Sequence, residues 1–117
     1  MHELALMAEL QQLAQVQAHR AGAQRIHRLR LRLGAAAGVN PEALHQAFAV
    51  LVSDANAGQL WRGAQLELVP VPVRCDCSHC EQPFSPQDPI HACPRCGQLS
   101  ARVLTGRELE LVALEVS

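Results

Sequence analysis

Two CxxC pairs limit the folds open to this chain more than any other part of its sequence. They are Cys77–Cys80 (CSHC) and Cys93–Cys96 (CPRC), with twelve residues between them. Each pair can occupy a tight turn that brings two thiolates together, and two such turns facing each other complete a tetrahedral site for Zn²⁺. Four thiolates leave no open coordination position, so we expect a structural zinc. The predicted zinc ligands are Cys77, Cys80, Cys93 and Cys96.

Disulfide pairing is the alternative use of these cysteines. An exported protein needs an unbroken apolar run in its signal peptide, and Glu3 and Glu9 interrupt the amino-terminal segment. In a reducing compartment, paired cysteines favour metal over disulfides. A fifth thiol, Cys75, allows a register in which it replaces Cys77, but its separation from Cys80 is longer than in a CxxC turn. We interpret Cys75 as a spare thiol.

Composition argues against several classes of function. The formal net charge of −1 gives no electrostatic basis for binding nucleic acid, and 3% aromatic residues provide few side chains on which bases could stack. No apolar run approaches the about 20 residues that a bilayer span requires. We therefore expect a soluble, cytoplasmic protein of one compact body plus a smaller metal-held part, with no nucleic-acid partner and no membrane span.

Hydrophobic periodicity predicts two amphipathic helices and three strands. Helical spacing indicates one helix over Glu3–Arg20 and a second that begins at Pro41 and ends near Ala57. Alternation with period two indicates strands over residues 26–33, 65–69 and 102–116. This order predicts an α+β protein in which two helices pack on a small β-sheet, with a zinc-ribbon-like domain of four cysteine ligands inserted before the last strand.

The same order predicts two domains. Residues 1–73 plus 101–117 form the α+β domain, and residues 74–100 form the zinc-binding domain. The cysteine segment has too little apolar content to build a core of its own. A structural zinc can stabilise it instead, since its apparent binding free energy of about 10–16 kcal/mol is also folding free energy.

The amino terminus offers a second metal site. A chain that begins Met1-His2 can hold a divalent ion through its α-amine, the His2 amide nitrogen and the His2 imidazole, in fused rings that need no folded scaffold. Nitrogen-rich square sites suit Ni(II) and Cu(II), and a deprotonated amide favours Ni(II) over Zn(II). We expect Met1 to be retained, because His2 is bulky. Taken alone, a histidine at position two is most often incidental.

Short motifs follow one another in a specific order over the whole chain. They are Met1-His2-Glu3-Leu4, Leu33-Gly34, Pro41-Glu42-Ala43-Leu44, Gly63-Ala64-Gln65-Leu66, the two cysteine pairs and Gly106-Arg107-Glu108-Leu109. In this order the chain resembles the HypA/HybF family of hydrogenase nickel-incorporation proteins. The resemblance implies a nickel metallochaperone and not an enzyme, with a transferable Ni²⁺ and a structural Zn²⁺.

The resemblance also implies roles and partners. His2 corresponds to the family's nickel ligand, with Glu3 adjoining it, which makes the α+β domain the nickel-binding domain. The implied partners are a nickel-handling maturation GTPase and the large subunit of [NiFe] hydrogenase, and some members of the family also serve urease. A homodimer is compatible with the sequence.

The chain departs from the family pattern at several positions. Asn40 stands where some relatives have an acidic residue close to nickel, and Glu42 is the nearest carboxylate. Glu81 follows the first cysteine pair where a glycine is frequent. Glu3 and Glu42 could attract or orient the metal, or could simply sit favourably at helix amino ends. Two histidines beside the zinc cysteines, His79 and His91, we interpret as exposed loop residues.

Two other functions compete with metal delivery. A zinc-ribbon module that binds nucleic acid or another protein should carry clustered basic and aromatic residues. The cysteine segment instead has two arginines and three acidic residues, namely Arg74, Arg95, Asp76, Glu81 and Asp88. A zinc hydrolase needs an open coordination position, which four cysteine ligands do not leave.

Overall fold

The structure is a computed structural model that describes residues 2–53, 57–87, 90–99 and 102–117. In chain order its elements are α1 (Glu3–Arg20), β1 (Ile26–Gly34), α2 (Pro41–Ser53), β2 (Gln65–Val71), β3 (Arg74–Cys77), β4 (Gln82–Phe84), β5 (Arg102–Thr105) and β6 (Leu109–Val116). The predicted α+β class is confirmed, with two helices, small sheets and a cluster of four cysteines. Neither described helix has the length and hydropathy of a membrane span.

The chain forms two compact units. The first contains Met1–Arg32, Gly38–Val69 and Glu110–Ser117, and the second contains Leu33–Ala37 and Pro70–Leu109. The segment predicted to bind zinc, residues 74–100, lies within the second unit. That unit also includes the chain on both sides of the segment and residues 33–37.

Both helices bury one apolar stripe, as their spacing predicts. In α1 the buried residues are Met7, Leu10, Gln11, Ala14 and Ala18. In α2 they are Leu44, Ala47 and Phe48. The ring of Phe48 meets Trp61 edge to face, with centroids 6.1 Å apart. The helix α2 is described as far as Ser53, and the predicted continuation through residues 54–56 lies outside the described residues.

The first sheet has the order β2-β1-β6, with β1 in the centre. Alternation along β1 buries Leu29, Leu31 and Leu33 and leaves the intervening arginines at least partly accessible. The Arg30 guanidinium donates to Glu67 Oε2 on β2 at 2.9 Å. The arginines of this strand thus meet the Glu67 carboxylate on the neighbouring strand and form the partly solvated face of β1.

The second sheet has the order β4-β3-β5, and both pairings are antiparallel. Cys75, in the middle of β3, lies opposite Phe84 on β4 and Val103 on β5. A small core forms here after all, and the cysteines supply most of it. Its buried members are Cys75, Cys77, Phe84 and Cys93.

The prediction of one strand over residues 102–116 is wrong. The structure divides it into β5, which belongs to the second sheet, and β6, which belongs to the first. The break lies at Gly106, whose φ of +117° is in the region that glycine tolerates best. The Gly106 N–H donates to Glu108 Oε1 at 2.7 Å and closes a tight turn. Periodicity missed the break because apolar residues occur on both sides of it.

Candidate metal centres

The four predicted zinc ligands lie together. One sulfur from each of Cys77, Cys80, Cys93 and Cys96 falls within 4.8 Å of all the others. The sulfurs of Cys77 and Cys96 are 3.6 Å apart. A tetrahedral zinc with Zn–S bonds of about 2.3 Å places its sulfurs about 3.8 Å from one another. The cluster therefore has the donor set and nearly the spacing that zinc requires.

Two turns with the same hydrogen bond present these sulfurs. In the first, the Glu81 N–H donates to the Cys77 carbonyl at 2.7 Å, and in the second the Gly97 N–H donates to the Cys93 carbonyl at 2.8 Å. Both donors have positive φ, 54° at Glu81 and +75° at Gly97. A glycine adopts this conformation readily. Glu81 adopts it with a side chain, at a backbone cost of roughly 1–2 kcal/mol.

Backbone N–H groups favour a thiolate at one position of the cluster. The N–H groups of Cys96 and Arg95 point at the Cys93 sulfur and lower the pKa of that thiol to about 7. The hydrogen bond that Cys80 shares with the Cys96 sulfur raises the pKa of Cys80 instead. Without metal, the Cys80 thiol thus keeps its proton near neutral pH. A cation that binds all four sulfurs must displace protons, which makes its affinity depend on pH.

The remaining residues around the cysteines do not join this group. Cys75 is fully buried in the apolar cluster of the second unit, and the structure groups Cys77 with the other three cysteines. The side chain of His79 is exposed, and His91 is half-buried with a positive φ of 59°. Among the described residues, neither histidine belongs to a metal-sized group of ligands.

The amino-terminal candidates lie at the start of α1. His2 is the exposed N-cap of the helix, and its carbonyl accepts the Leu6 N–H at 3.1 Å. Met1, whose α-amine is part of the predicted nickel chelate, lies outside the described residues. His2 and Glu3 border a shallow cleft of about 320 Å³, whose other side is formed by α2. The α2 residues that line it are Ala43, Gln46, Ala47 and Val50.

Glu3 contacts the start of α2. The main-chain N–H of Asn40 donates to Glu3 Oε2 at 3.2 Å, and the Asn40 side chain caps α2 by accepting the Ala43 N–H at 3.1 Å. The Asn40 N–H, and then the N–H of Glu3 itself, lower the pKa of the Glu3 carboxyl. Within the described part of the chain, no third cysteine, histidine or carboxylate forms a metal-sized group with His2 and Glu3.

Sequence reasoning missed the link between Glu3 and Asn40. An asparagine before Pro41 is a strong helix-start signal and predicts the cap of α2. That signal concerns α2 alone. The Asn40 N–H has no acceptor within α2, because it lies at the helix start. The sequence gives no sign that its acceptor is the Glu3 carboxylate of α1.

Comparison with known proteins gives one family. A family model described as "Hydrogenase/urease nickel incorporation, metallochaperone, hypA" matches residues 1–116. The hydrogenase maturation factor HypA of Picosynechococcus sp. is 44% identical over 116 residues, which cover 99% of this chain and 99% of that protein. The protein of the same name from Acidithiobacillus ferrooxidans is 38% identical over 116 residues, with 99% of each chain covered.

Solved structures show the same fold. A structure titled "Solution structure of HypA protein" superimposes with a TM-score of 0.73 at 23% identity and covers 100% of this chain and 97% of its own. The solution structure of the Ni metallochaperone HypA from Helicobacter pylori gives a TM-score of 0.68 at 23% identity, with 99% and 97% covered. At this identity the likeness concerns the fold.

Proposed function

The chain belongs to the HypA family of hydrogenase/urease nickel-incorporation metallochaperones, and we propose that it carries nickel at its amino-terminal end while zinc holds its cysteine turns. A metallochaperone must give up its cargo, so the cargo site and the structural site need opposite properties. The observation that supports this division is the contrast between four converging sulfurs and an exposed His2 at the start of a helix.

The nickel site centres on His2, with Glu3 adjoining it. His2 contributes its imidazole, and main-chain nitrogens at the amino-terminal end complete a square, nitrogen-rich site that suits Ni(II). The lack of a third side-chain ligand near His2, among the described residues, favours main-chain donors. The His2 side chain is exposed and borders an open cleft, so a partner can reach the metal without unfolding the protein.

The zinc site comprises Cys77, Cys80, Cys93 and Cys96. A zinc ion bound there is fully coordinated by protein and stabilises the turns without taking part in a reaction. Backbone N–H groups directed at the Cys93 sulfur keep negative charge at that ligand. These N–H groups belong to Cys96 and Arg95 in the second cysteine turn, so the main chain of that turn stabilises a thiolate that can retain the metal.

The family's role supports a proposal about partners and cellular location. We propose that the chain receives or passes nickel together with a maturation GTPase and delivers it to the large subunit of [NiFe] hydrogenase. Cysteines that converge on a metal site rather than pair in disulfides suit a reducing compartment, which supports a cytoplasmic location. We also propose that residues 1–73 plus 101–117 act as the nickel-binding domain and residues 74–100 as the zinc-binding domain.

The test is nickel binding by a His2→Ala variant. Isothermal titration of zinc-loaded protein that starts at Met1 should give about one nickel site in the wild type and none in the variant. His19→Ala, which removes an exposed histidine in the last turn of α1, at the opposite end of the helix from His2, is the matched control and should bind nickel normally. Zinc content should be equal in all three proteins. Full nickel affinity in His2→Ala would exclude the proposed site.

A further inference from the structure

A hydrogen bond between residues far apart in the sequence joins the first turn of α1 to Asn40, the residue before α2. It runs from the main-chain N–H of Asn40 to Glu3 Oε2 over 3.2 Å, and we call it the Glu3–Asn40 latch. Asn40 is itself fixed, because its Oδ1 accepts the Ala43 N–H in the first turn of α2. The carboxylate of Glu3 is thereby tied to a capped helix start.

We propose that Glu3 is a positioning residue, whose latch to Asn40 holds the start of α1 against α2 and so fixes where His2 presents its imidazole to nickel. This inference rests on the proposed function, because it assumes that His2 binds nickel. It assigns Glu3 a role that differs from direct ligation by the carboxylate.

The latch can act on His2 because the two residues share one helix start. His2 is the N-cap of α1, and its carbonyl accepts the Leu6 N–H at 3.1 Å. No side chain caps this helix end. Helix ends without caps tend to fray. The Glu3 carboxylate is therefore the tether that the structure provides for this turn.

The same contacts already occupy one oxygen of each of these two side chains. Glu3 Oε2 accepts the Asn40 N–H, and the oxygen of the Asn40 side chain accepts the Ala43 N–H. Nickel ligation through either of these oxygens would compete with a hydrogen bond at the start of α2, and the nickel spectrum described below tests ligation through the other Glu3 oxygen. Groups that orient a metal ligand without touching the metal are a common arrangement in proteins.

Two substitutions at position 40 isolate the main-chain donor. Asn40→Ala removes the capping side chain but keeps the N–H, whereas Asn40→Pro removes both. Glu3 is intact in each protein and remains free to ligate nickel. The latch predicts that Asn40→Pro binds nickel about 10-fold more weakly than Asn40→Ala, the usual effect of losing an orienting contact. Equal nickel affinities in the two variants would overturn the proposal.

Substitutions at position 3 give a second, independent test. Glu3→Gln retains an oxygen that can accept the Asn40 N–H, whereas Glu3→Ala does not. We expect Glu3→Gln to keep most of the nickel affinity and Glu3→Ala to lose about 10-fold. The double variant Glu3→Ala/Asn40→Pro should be no worse than Glu3→Ala, since both changes break the same contact. An equally large loss in Glu3→Gln and Glu3→Ala would contradict the latch.

The visible absorption spectrum of bound nickel separates positioning from ligation. A positioning role leaves the ligand set unchanged, so every variant loaded with saturating nickel should show the wild-type spectrum. A changed spectrum in Glu3→Gln would make Glu3 a ligand and overturn the inference. Zinc content and the fluorescence of Trp61 confirm that each variant is folded. Loss of nickel in His2→Ala, alongside unchanged affinity in all latch variants, would refute the latch and leave the proposed function intact.

Discussion

Cys75 and Cys93 are both buried thiols in the second unit, yet the structure gives them different surroundings. Cys93 has its sulfur in the group of four, with N–H groups directed at it. Cys75 lies between β4 and β5, opposite Phe84 and Val103, and acts as an apolar side chain. Free cysteine often has this role in protein cores.

This difference predicts different effects of alanine substitution. Cys93→Ala leaves three ligands, so zinc content should fall well below one per chain and the second unit should lose thermal stability. Cys75→Ala should keep one zinc per chain and lose about 1 kcal/mol, as for most small changes in a core. Metal analysis of the purified proteins decides between these outcomes. Normal zinc in Cys93→Ala, or lost zinc in Cys75→Ala, would refute the assigned ligand set.

The predictability of single residues depended on how local their contacts are. The two cysteine turns could be predicted, because each is closed by a hydrogen bond four residues along the chain. The partner of Glu3 could not, because Asn40 lies 37 residues away and the bond uses a main-chain N–H that every residue but proline has. His2 was predicted to bind nickel from the family resemblance, since a histidine at position two alone carries little signal.

At the scale of elements, the end of β1 packs against the turn between β5 and β6. The N–H of Gly34 donates to the Glu108 carbonyl at 2.7 Å, and the N–H of Ala36 donates to the Gly106 carbonyl at 2.6 Å. A Cβ atom added at Gly34 would overlap the carbonyl group of Gly106, at a separation that real Cβ atoms essentially never show. The two main chains can come this near only because Gly34 has no side chain.

We therefore expect Gly34→Ala to destabilise the protein by about 1–3 kcal/mol or more, as overpacking does. Gly38→Ala is the control, because a Cβ added there would meet no atom within 4 Å and only the positive φ of Gly38 is unfavourable. Urea denaturation of the zinc-loaded proteins, followed by far-ultraviolet circular dichroism, measures both. A smaller loss in Gly34→Ala than in Gly38→Ala would show that the close approach is not a constraint.

Elements whose apolar residues recur at a clear helix or strand period were predicted from the sequence, and elements without such a period were not. The limits of α1 were predicted, and β1 extends one residue beyond the prediction, because each buries a continuous stripe. The strands β3 and β4 were not assigned, since short strands among prolines show no alternation. The separation of β5 from β6 depends on the turn at Gly106, and a lone glycine in a strand pattern is an ambiguous signal.

At the scale of the whole molecule, each compact unit has its own reporter. Trp61 is the single tryptophan and belongs to the first unit, where its ring is fully buried against Phe48. The cysteine cluster belongs to the second unit. Tryptophan emission and metal content thus report on different parts of the chain.

This arrangement makes the domain division testable by zinc removal. A strong chelator should unfold the β3–β4–β5 sheet, because zinc is expected to contribute about 10–16 kcal/mol to a unit with so small a core. The emission maximum of Trp61 should stay at the wavelength of the folded protein, because the apolar packing around Trp61 does not depend on a metal. Circular dichroism and fluorescence recorded on one sample measure both. A red shift of Trp61 emission that accompanies zinc loss would contradict the proposal that the two domains are stabilised separately.

The central claim is that one ion is held permanently by the cysteines and another is carried at the amino-terminal end. The most direct test is nickel calorimetry on one zinc-loaded preparation, before and after protease removes an extension that precedes Met1. Binding of about one nickel per chain should appear only after cleavage, with zinc content unchanged. Equal nickel uptake by the extended and the cleaved protein would contradict the account.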